Sequence, residues 1–375
     1  MDLKKKTKIR KIDIPTDKRC IFVSDIHGDI DTFKQGLKSL NFNSDDYLFI
    51  IGDIYEKGDF SKNLETINYV YELSKNNKNV FPMAGNCDEV LRFILPKEDK
   101  EKFLYYANIK KRSIINDIAA KENYKLSMDM NVDDFIKMIY KKYHYLYEFI
   151  DSLDDVIFIN DKLVLVHGGI DDINNIPKYS LDLLKYDKFY ELTKPQQKLM
   201  IVGHYPTRNY RSKLACVNPI FDFKKNVICI DGGNHVVKGG QINFVYINNL
   251  DEMKFDFAYY DHYPKFIMKD SVDYKAPIEH VNIRFGENEV EVLNTDLDFI
   301  YIRHLSTNIC MWVHNSFVYK NESNNKFYCY DGSNQFISVK KGETISIIIK
   351  ANPYSLIKKD GFIGLIETKY IDYEN

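Results

Sequence analysis

The sequence predicts an α/β protein in which two packed sheets are flanked by helices, followed by a small all-β barrel. Three observations support this prediction. Apolar runs typical of buried strands alternate with helical periodicity up to residue 86, helical spacing dominates residues 96–151, and short strands with turn signals recur after residue 278. A chain of 375 residues has room for two or three domains. We therefore predict a first domain over residues 1–262 and a second over residues 277–375.

The first domain begins as a parallel α/β unit. Its apolar runs predict buried strands at residues 19–24, 47–51, 80–84, 163–166 and 199–202. Apolar residues recur every three or four positions at 32–40 and 64–73, which predicts helices between the first three strands. This alternation predicts a parallel sheet, and further strands at 156–159, 227–230 and 241–247 predict a second sheet packed against it.

A helical insertion or lid is predicted between the third and fourth of these strands. Residues 96–151 lose strand character and instead show one apolar helical face. The members of that face are Phe135, Ile139, Tyr143, Leu146 and Ile150. Asn131, followed three residues later by Asp134, predicts the start of a helix.

The second domain is predicted to consist of short strands. The candidates are residues 289–293, 299–303, 311–319, 326–330, 336–339, 343–349 and 354–357. Asp360-Gly361, which separates two apolar pairs, predicts a two-residue hairpin turn, because both central positions of such a turn need a positive φ.

The composition argues against several classes of partner. The chain is 45% hydrophobic and 28% charged, which is typical of a soluble globular protein. A formal net charge of −2 argues against nucleic-acid binding, and no apolar run approaches the length of a membrane helix. We therefore expect neither nucleic-acid nor membrane partners. Six dispersed cysteines indicate a reducing compartment, so we expect a cytoplasmic protein. The basic segment before Pro15 is expected to be a solvated arm.

Each of the five principal strands is followed by a short polar motif. The motifs are Asp25-Ile26-His27-Gly28-Asp29, Gly52-Asp53, Gly85-Asn86-Cys87-Asp88, His167-Gly168-Gly169 and Gly203-His204. The carboxyl ends of strands in open α/β sheets line a common crevice. We therefore expect the polar side chains of all five motifs to meet there.

These side chains suit a site for two metal ions. Two divalent ions about 3.5–4 Å apart can polarise one phosphoryl group, and they need carboxylate, imidazole and other oxygen ligands. The predicted ligands of the first ion are Asp25 and His27, and those of the second are Asn86, His167 and His204. Asp53 is predicted to bridge the two ions as a shared ligand. We expect manganese, with iron or zinc as alternatives.

The motifs resemble those of the calcineurin-like metallophosphoesterase superfamily, in its bacterial phosphoprotein-phosphatase branch. That branch carries Gly-Asp-x-His-Gly, Gly-Asp-x-x-Asp-Arg-Gly, Gly-Asn-His-Asp/Glu, His-Gly-Gly and Gly-His-Thr-Pro, and the likeness extends over residues 24–243. It implies a four-layer sandwich and a phosphatase that acts on phosphomonoesters, either phosphoserine or phosphothreonine proteins or small molecules, by attack of a metal-bridging hydroxide. Pro206 stands where phosphodiesterase branches have a second histidine, which favours the phosphatase branch.

Three departures from the family pattern bear on the chemistry. Cys87 replaces the histidine thought to protonate the leaving group, Glu56 replaces the aspartate that orients this histidine, and Lys57 replaces a phosphate-gripping arginine. The resemblance makes these three residues, together with Asp53, the candidate catalytic residues. Lysine is a point charge and cannot reproduce the two-pronged grip of arginine on phosphate.

Substrate binding is predicted for Lys57, with Arg208 and Arg211 as candidates to compensate for an arginine that the family carries between its last two histidine motifs. Cys87 leaves the reaction class open. A thiol with a pKa of about 8.5 is a poorer proton donor than an imidazolium near 6.5, and alkyl phosphates need that proton most. Two alternatives therefore remain: a hydrolase of phosphodiesters or dinucleoside polyphosphates, and a decayed phosphatase that acts as a binding module.

The closing run from Tyr354 to Gly364 resembles the last hairpin of bacterial Src-homology-3-like domains, although Leu365 stands where tryptophan is usual. This resemblance implies that the second domain binds a peptide, a cell-wall fragment or a neighbouring part of its own chain.

Overall fold

The computed structural model describes residues 5–58, 62–91, 100–105, 107–108, 112–275 and 279–371. The predicted start of the insertion at Pro96 and of the second domain at Pro277 lie outside these residues. The chain forms two compact units. The first comprises the chain up to Tyr205 together with Pro219–His235 and Ile242–Tyr260. The second comprises Pro206–Asn218, Val236–Gln241 and the chain from Asp261 onward, so it includes two short segments that we had placed in the first domain.

The first unit contains eleven strands within its described residues. They are β1 Ile9–Ile12, β2 Cys20–Val23, β3 Tyr47–Ile51, β4 Val80–Met83, β5 Val156–Ile159, β6 Leu163–Val166, β7 Leu199–Val202, β8 Ile220–Asp222, β9 Val227–Cys229, β10 Ile242–Ile247 and β11 Phe255–Tyr260. Its helices are α1 Ile30–Ser39, α2 Asn63–Asn76, α3 Lys100–Tyr105, α4 Ile114–Lys121, α5 Val132–Ser152, α6 Leu181–Leu184 and α7 Phe189–Leu192. The predicted alternation of strand, helix, strand, helix and strand up to residue 86 is confirmed.

These strands form two mixed sheets. The first has the order β11-β10-β2-β3-β4, in which β2, β3 and β4 run parallel. The second has the order β1-β5-β6-β7-β9-β8, in which β6, β7 and β9 run parallel. The five strands that precede the polar motifs are therefore parallel neighbours, three in the first sheet and two in the second.

Alternation along β2 shows how the sheets pack. Phe22 belongs to the apolar cluster between the two sheets, where its ring stacks on Phe49 at 5.4 Å between centroids. Ile21 and Val23 point the other way, into the cluster formed with the helices. Side chains of a strand alternate between faces, so a strand that is apolar throughout must be covered on both. The predicted sandwich of two packed sheets flanked by helices is confirmed. Residues 241–247, which we predicted in the second sheet, instead form β10 and pair antiparallel with β2 in the first sheet, because an apolar run predicts a buried strand but not its neighbour.

The basic segment near the start of the chain corrects one prediction. Ile9–Ile12 forms β1 and pairs in parallel with Val156–Ile159, so it is not a solvated arm. Lys5 is buried, with its ammonium 3.7 Å from a Glu89 oxygen and 3.6 Å from an Asp155 oxygen. A short edge strand carries little apolar signal of its own, because its stability comes from the strand beside it.

The insertion is helical, as predicted. The side chains of the predicted apolar face on α5 are all buried. Asn131 begins that helix, because its side-chain oxygen accepts hydrogen bonds from the backbone nitrogens of Asp133 and Asp134. No helix in the described part of the chain is long and apolar enough to cross a membrane.

The second unit contains antiparallel strands. They are β12 Lys265–Ile267, β13 Glu289–Asp296, β14 Phe299–His304, β15 Ile309–His314, β16 Val318–Asn321, β17 Lys326–Cys329, β18 Thr344–Ile349, β19 Tyr354–Lys359 and β20 Phe362–Glu367. They form sheets of order β12-β18-β19-β20 and β15-β14-β13-β17-β16. The Asp360-Gly361 turn is confirmed, with φ values of 50° and 78°.

Two strand predictions for the second unit were wrong. Residues 311–319 do not form one strand, because a single 3-10 turn at Asn315–Phe317 interrupts them. Residues 336–339 form only isolated bridges, Phe336 with Leu365 and Val339 with Val272. The first segment is instead divided between β15, which pairs with β14, and β16, which pairs with β17, so the apolar pattern continues through the turn that separates the two strands.

Candidate metal centre

The loops after β2 and β3 are tied together by backbone hydrogen bonds. The nitrogen of Asp25 donates to the oxygen of Gly52 at 3.1 Å, and that of His27 donates to the oxygen of Asp53 at 3.0 Å. Likewise, the nitrogen of Gly203 donates to the oxygen of His167 at 2.9 Å. The motif loops therefore continue the pairing of their strands, which brings their side chains to one crevice.

Asp53 lies between two histidines. One carboxylate oxygen, Oδ2, is 3.8 Å from Nε2 of His27, and the other, Oδ1, is 3.3 Å from Nε2 of His167. Oδ1 also accepts a hydrogen bond from the backbone nitrogen of Cys87 at 2.8 Å. A carboxylate that presents one oxygen to each side has the placement of a bridging ligand.

Asp25 lies beside His27. Its Oδ1 is 3.7 Å from Nε2 of His27, and its Oδ2 accepts a hydrogen bond from the backbone nitrogen of His204 at 3.0 Å. Oδ1 is fully buried and has no hydrogen-bond partner among the residues that the structure describes. A buried carboxylate oxygen without a donor is costly, and coordination of a cation would satisfy it.

Three lone pairs converge at His167. Its Nδ1 lies 2.8 Å from the backbone oxygen of Ile51, which requires Nδ1 to carry the proton and leaves a lone pair on Nε2. This nitrogen faces Oδ1 of Asn86 at 3.2 Å and Oδ1 of Asp53 at 3.3 Å. The amide orientation of Asn86 agrees with a contact from its nitrogen to the sulfur of Cys87 at 3.4 Å. Three acceptors without a donor between them fit a metal ion.

His204 completes the group. Its ring centroid is 5.3 Å from that of His167, and its Nε2 is 2.9 Å from Oδ1 of Asp187. The structure thus brings together all six predicted ligands, and their carboxylate, imidazole and amide donors suit manganese, iron or zinc.

The electrostatics of the centre also fit a cation. Burial and the charge of Asp53 raise the pKa of Asp25 to about 8. Burial and the charge of Lys57 lower the pKa of His27 to about 3, and burial lowers that of His204 to about 4. Burial would also raise the pKa of Asp53, but its neighbouring histidines and Lys57 outweigh this effect and lower it below its usual range. The protein without ions therefore holds neutral imidazoles around a carboxylate, a state ready to bind a cation.

The motif glycines make room for the ligands. A Cβ atom on Gly85 would lie 2.1 Å from the backbone nitrogen of Asp53, and one on Gly203 would lie 2.6 Å from Oδ2 of Asp25. Four ligands also have left-handed backbones: the φ values of Asp25, His27, Asp53 and His204 lie between 51° and 67°. Such conformations cost energy and concentrate at functional sites.

Cys87 and Lys57 lie next to the predicted ligands. The sulfur of Cys87 is within 4.8 Å of a ligand atom of His27 and of Asp53. Burial and the charge of Asp53 raise the pKa of its thiol well above the usual value, so the thiol keeps its proton. Burial would lower the pKa of Lys57, but the nearby negative charge of Asp53 raises it above the usual range. Lys57 is therefore a permanent cation beside the centre.

Glu56 has a different use from the one we predicted. Its Oε1 accepts hydrogen bonds from the hydroxyl of Ser113 at 3.0 Å and from the backbone nitrogen of Ile114 at 2.8 Å. These groups begin α4, whose N terminus favours a negative charge. We therefore assign Glu56 to anchoring the helical insertion instead of orienting a proton donor.

The two predicted arginines belong to the second unit. Arg208 is fully buried there, and its guanidinium donates to the side chain of Asn282 at 2.8 Å and to the backbone oxygen of Asp331 at 2.6 Å. Arg211 donates to the backbone oxygens of Thr207 and Cys216, both at 3.1 Å. These bonds hold both side chains within their own unit, so we do not propose that either arginine binds phosphate.

Sequence reasoning missed several supporting residues. The Asp88 carboxylate accepts hydrogen bonds from the backbone nitrogens of Ile54 and Gly85, both at 2.9 Å, and so braces two motif loops. Asp231 is buried, and burial together with Asp25 raises its pKa. Asp88 belongs to the motif that follows β4, whereas Asp187, the partner of His204, lies outside every motif.

Comparison with known proteins gives a family. The family model described as calcineurin-like phosphoesterase matches residues 18–216. Comparison with curated proteins found no match.

Comparison with solved structures found several similar chains. A proposed diadenosine tetraphosphatase is 14% identical with a TM-score of 0.42, covering 68% of this chain and 99% of the other. A serine/threonine phosphatase from Saccharomyces cerevisiae is 12% identical with a TM-score of 0.38, covering 69% of this chain and 85% of the other. A cold-active protein-tyrosine phosphatase of a psychrophilic Shewanella species is 15% identical with a TM-score of 0.41, covering 68% and 84%.

Proposed function

The chain belongs to the calcineurin-like phosphoesterase family of metal-dependent phosphoester hydrolases. Within this family, we propose that its substrates are phosphomonoesters. The observation that supports this preference is the permanent cation of Lys57 beside the predicted ligands. The phosphoryl group of a monoester carries one more negative charge than that of a diester, so an additional cation favours it. Phosphoserine and phosphothreonine proteins and small phosphorylated molecules both fit this chemistry.

The proposed site holds two divalent ions, with manganese as the expected metal and iron or zinc as alternatives. Asp25 and His27 would hold the first ion, and Asp53 would be shared by both. The side chains of Asn86 and of the two histidines that follow β6 and β7 would hold the second. When bound, two such ions supply polarisation of a phosphoryl oxygen and make a water molecule more acidic.

The remaining side chains act on the substrate itself. Lys57 would hold one phosphoryl oxygen with a single ammonium, which supplies charge but fixes orientation less than an arginine does. Cys87 keeps its proton, because burial and Asp53 raise the pKa of its thiol. A thiol of high pKa is a weak general acid, so the departing oxygen would leave with little protonation.

The protonated thiol of Cys87 also supports a second candidate. Phosphoanhydride and acidic diester leaving groups depart as stable anions and need no proton donor. Hydrolysis of dinucleoside polyphosphates or phosphodiesters by the same site is therefore the alternative that we keep.

For the second unit, the closing hairpin supports the proposal of a Src-homology-3-like module that binds a peptide or a segment of its own chain. We also propose a cytoplasmic location. All six cysteines lie in the described part of the chain and are free, as expected in a reducing compartment.

The test combines metal analysis with a substrate panel. The full chain is loaded with manganese, its metal content is measured, and initial rates are compared for a phosphoserine peptide, an alkyl monoester, an aryl monoester, an aryl diester and diadenosine tetraphosphate. We expect two ions per chain and hydrolysis that a chelator abolishes, with monoesters preferred over the diester. A metal-dependent preference for the diester or the tetraphosphate would replace the substrate class. Failure on every substrate would favour the binding module.

A further inference from the structure

The two glycines of the His167-Gly168-Gly169 motif are explained by a segment that packs against them. The backbone nitrogens of Gly168 and Gly169 both donate to the oxygen of Leu183, at 2.9 and 3.2 Å. A Cβ on Gly168 would lie 2.5 Å from that oxygen, and one on Gly169 would lie 2.4 Å from the ring of Phe189. Only glycine admits the chain between Leu183 and Phe189 so close to the end of β6.

That segment is held on both sides of Asp187. Phe189 is fully buried, and the ring of Tyr186 packs against it at 5.3 Å between centroids. The hydroxyl of Tyr186 lies 2.9 and 3.1 Å from the two oxygens of the Asp171 carboxylate. The backbone on either side of Asp187 is thus fixed by packing and hydrogen bonds that do not involve its own side chain.

Asp187 in turn contacts His204. Its Oδ1 is 2.9 Å from Nε2 of the imidazole, a distance that makes Nε2 the protonated nitrogen. The lone pair of His204 then lies on Nδ1. His167 is fixed in the opposite tautomer by the backbone oxygen of Ile51. Each of the two histidines proposed for the second ion therefore has a partner that sets which nitrogen is available to a metal.

We propose that Asp187 is a positioning residue that holds the Nδ1 lone pair of His204 ready for the second metal ion. The proposal rests on the two-metal function above. The side chain of Asp187 is 52% exposed, and exposed ion pairs contribute little to the free energy of folding. The contribution of Asp187 therefore shows in binding of the second ion and not in stability.

The test compares Asp187→Ala and Asp187→Asn with the control Asp182→Asn in the full chain. Asp182 is an exposed carboxylate one residue before this segment, and its side chain makes no hydrogen bond within the described residues. Binding of manganese to each site is measured by titration with electron paramagnetic resonance, and stability by the Tm of the metal-free proteins. Loss of a carboxylate partner of a metal-bound histidine typically weakens metal binding by about 10–100-fold.

We expect that loss for the second ion alone in Asp187→Ala, a smaller loss in Asp187→Asn, which keeps an acceptor oxygen, and none in the control. The Tm should stay unchanged in all three. Nitrogen-15 spectra of the metal-free protein should show His204 protonated at Nε2, and Asp187→Ala should mix its tautomers.

Wild-type affinity for both ions in Asp187→Ala would overturn the proposal, as would equal losses in Asp182→Asn or protonation of His204 at Nδ1. A wild-type chain that binds fewer than two ions would instead contradict the proposed function. The two failures are therefore distinguishable.

Discussion

The two units differ in whether their buried charged groups have partners within the chain. In the second unit, the ammonium of Lys358 is 2.9 Å from Asp261 and donates to the backbone oxygens of Gly239 and Gly240. In the first unit, Asp25 and Asp53 are equally buried, yet Oδ1 of Asp25 has no hydrogen-bond partner among the described residues and Oδ1 of Asp53 faces the Nε2 lone pair of His167. Buried charge that the chain itself satisfies is a structural feature. Buried charge that it leaves unsatisfied marks a place for a ligand, which here is a cation.

The largest effect on activity is expected from substitution of Asp53, the carboxylate between the two histidines of the metal centre. Asp53→Asn keeps the volume of the side chain but removes its charge, so it should abolish the shared ligand. Metal-ion catalysis contributes several kcal/mol to the transition state, so kcat should fall by about a thousandfold or more. The Tm should change little. Asp45→Asn, at an exposed position of the same unit, is the matched control, and full turnover in Asp53→Asn would contradict the ligand assignment.

The corresponding change in the second unit should affect stability and not chemistry. Asp261→Asn leaves the Lys358 ammonium buried without its counter-charge. Breaking a buried ion pair costs about 3–5 kcal/mol, and we expect the lower end because two backbone oxygens still accept from the ammonium. Urea unfolding of the full chain measures the effect, with Asp296→Asn at an exposed strand end as control. A loss below about 1 kcal/mol would show that the pair is not a structural requirement.

A smaller change is expected from adding a proton donor. Cys87→His should raise the rate on alkyl phosphates more than on aryl phosphates, because only the alkyl leaving group needs a proton. General-acid catalysis contributes about 10²–10⁴-fold, and we expect the lower end, since Glu56 is bound to the start of α4. The slope of log rate against leaving-group pKa should become shallower than in wild type or in Cys87→Ser. Equal slopes would mean that Cys87 is only a packing variant.

The smallest effect is expected in the pH dependence of manganese binding. Asp25, with a pKa of about 8, is mostly protonated at pH 7 in the metal-free protein and must lose that proton to bind an ion. Apparent manganese affinity should therefore rise with pH up to about 8, by roughly tenfold per unit if one proton is released. Calorimetry at pH 7 in buffers of different ionisation enthalpy counts the protons released. Binding without proton release would contradict a carboxylic acid at Asp25.

The sequence predicted most of the elements that build the centre. The strands at Tyr47–Ile51, Leu163–Val166 and Leu199–Val202 were placed to the residue, because each is an apolar run that ends at a glycine-containing or histidine-containing motif. The edge strand Ile9–Ile12 was missed, since its structure depends on a partner almost 150 residues away.

The contact partners of side chains were predicted less well than the strands and helices. Glu56 was assigned by its position in a motif, but its carboxylate meets the start of a helix 58 residues later. Arg208 follows a motif closely and yet satisfies carbonyl and amide groups of the second unit. Asp187 had no motif at all, and it is brought to His204 by the packing of Phe189 against Gly169 and by hydrogen bonds from the glycine backbone to Leu183. Such contacts depend on folding of distant segments and leave no local pattern.

The most direct test of the account is to locate manganese in the protein. Crystals of the full chain grown with manganese, measured at an energy where manganese scatters anomalously, would show each ion as a peak. The account predicts two peaks on either side of the Asp53 carboxylate, one beside Asp25 and His27 and the other beside His167. The same crystals should show none beside Asp261 in the second unit. No peak at Asp53, or a peak only at another site, would contradict the claim that the unsatisfied buried charge of the first unit is a metal centre.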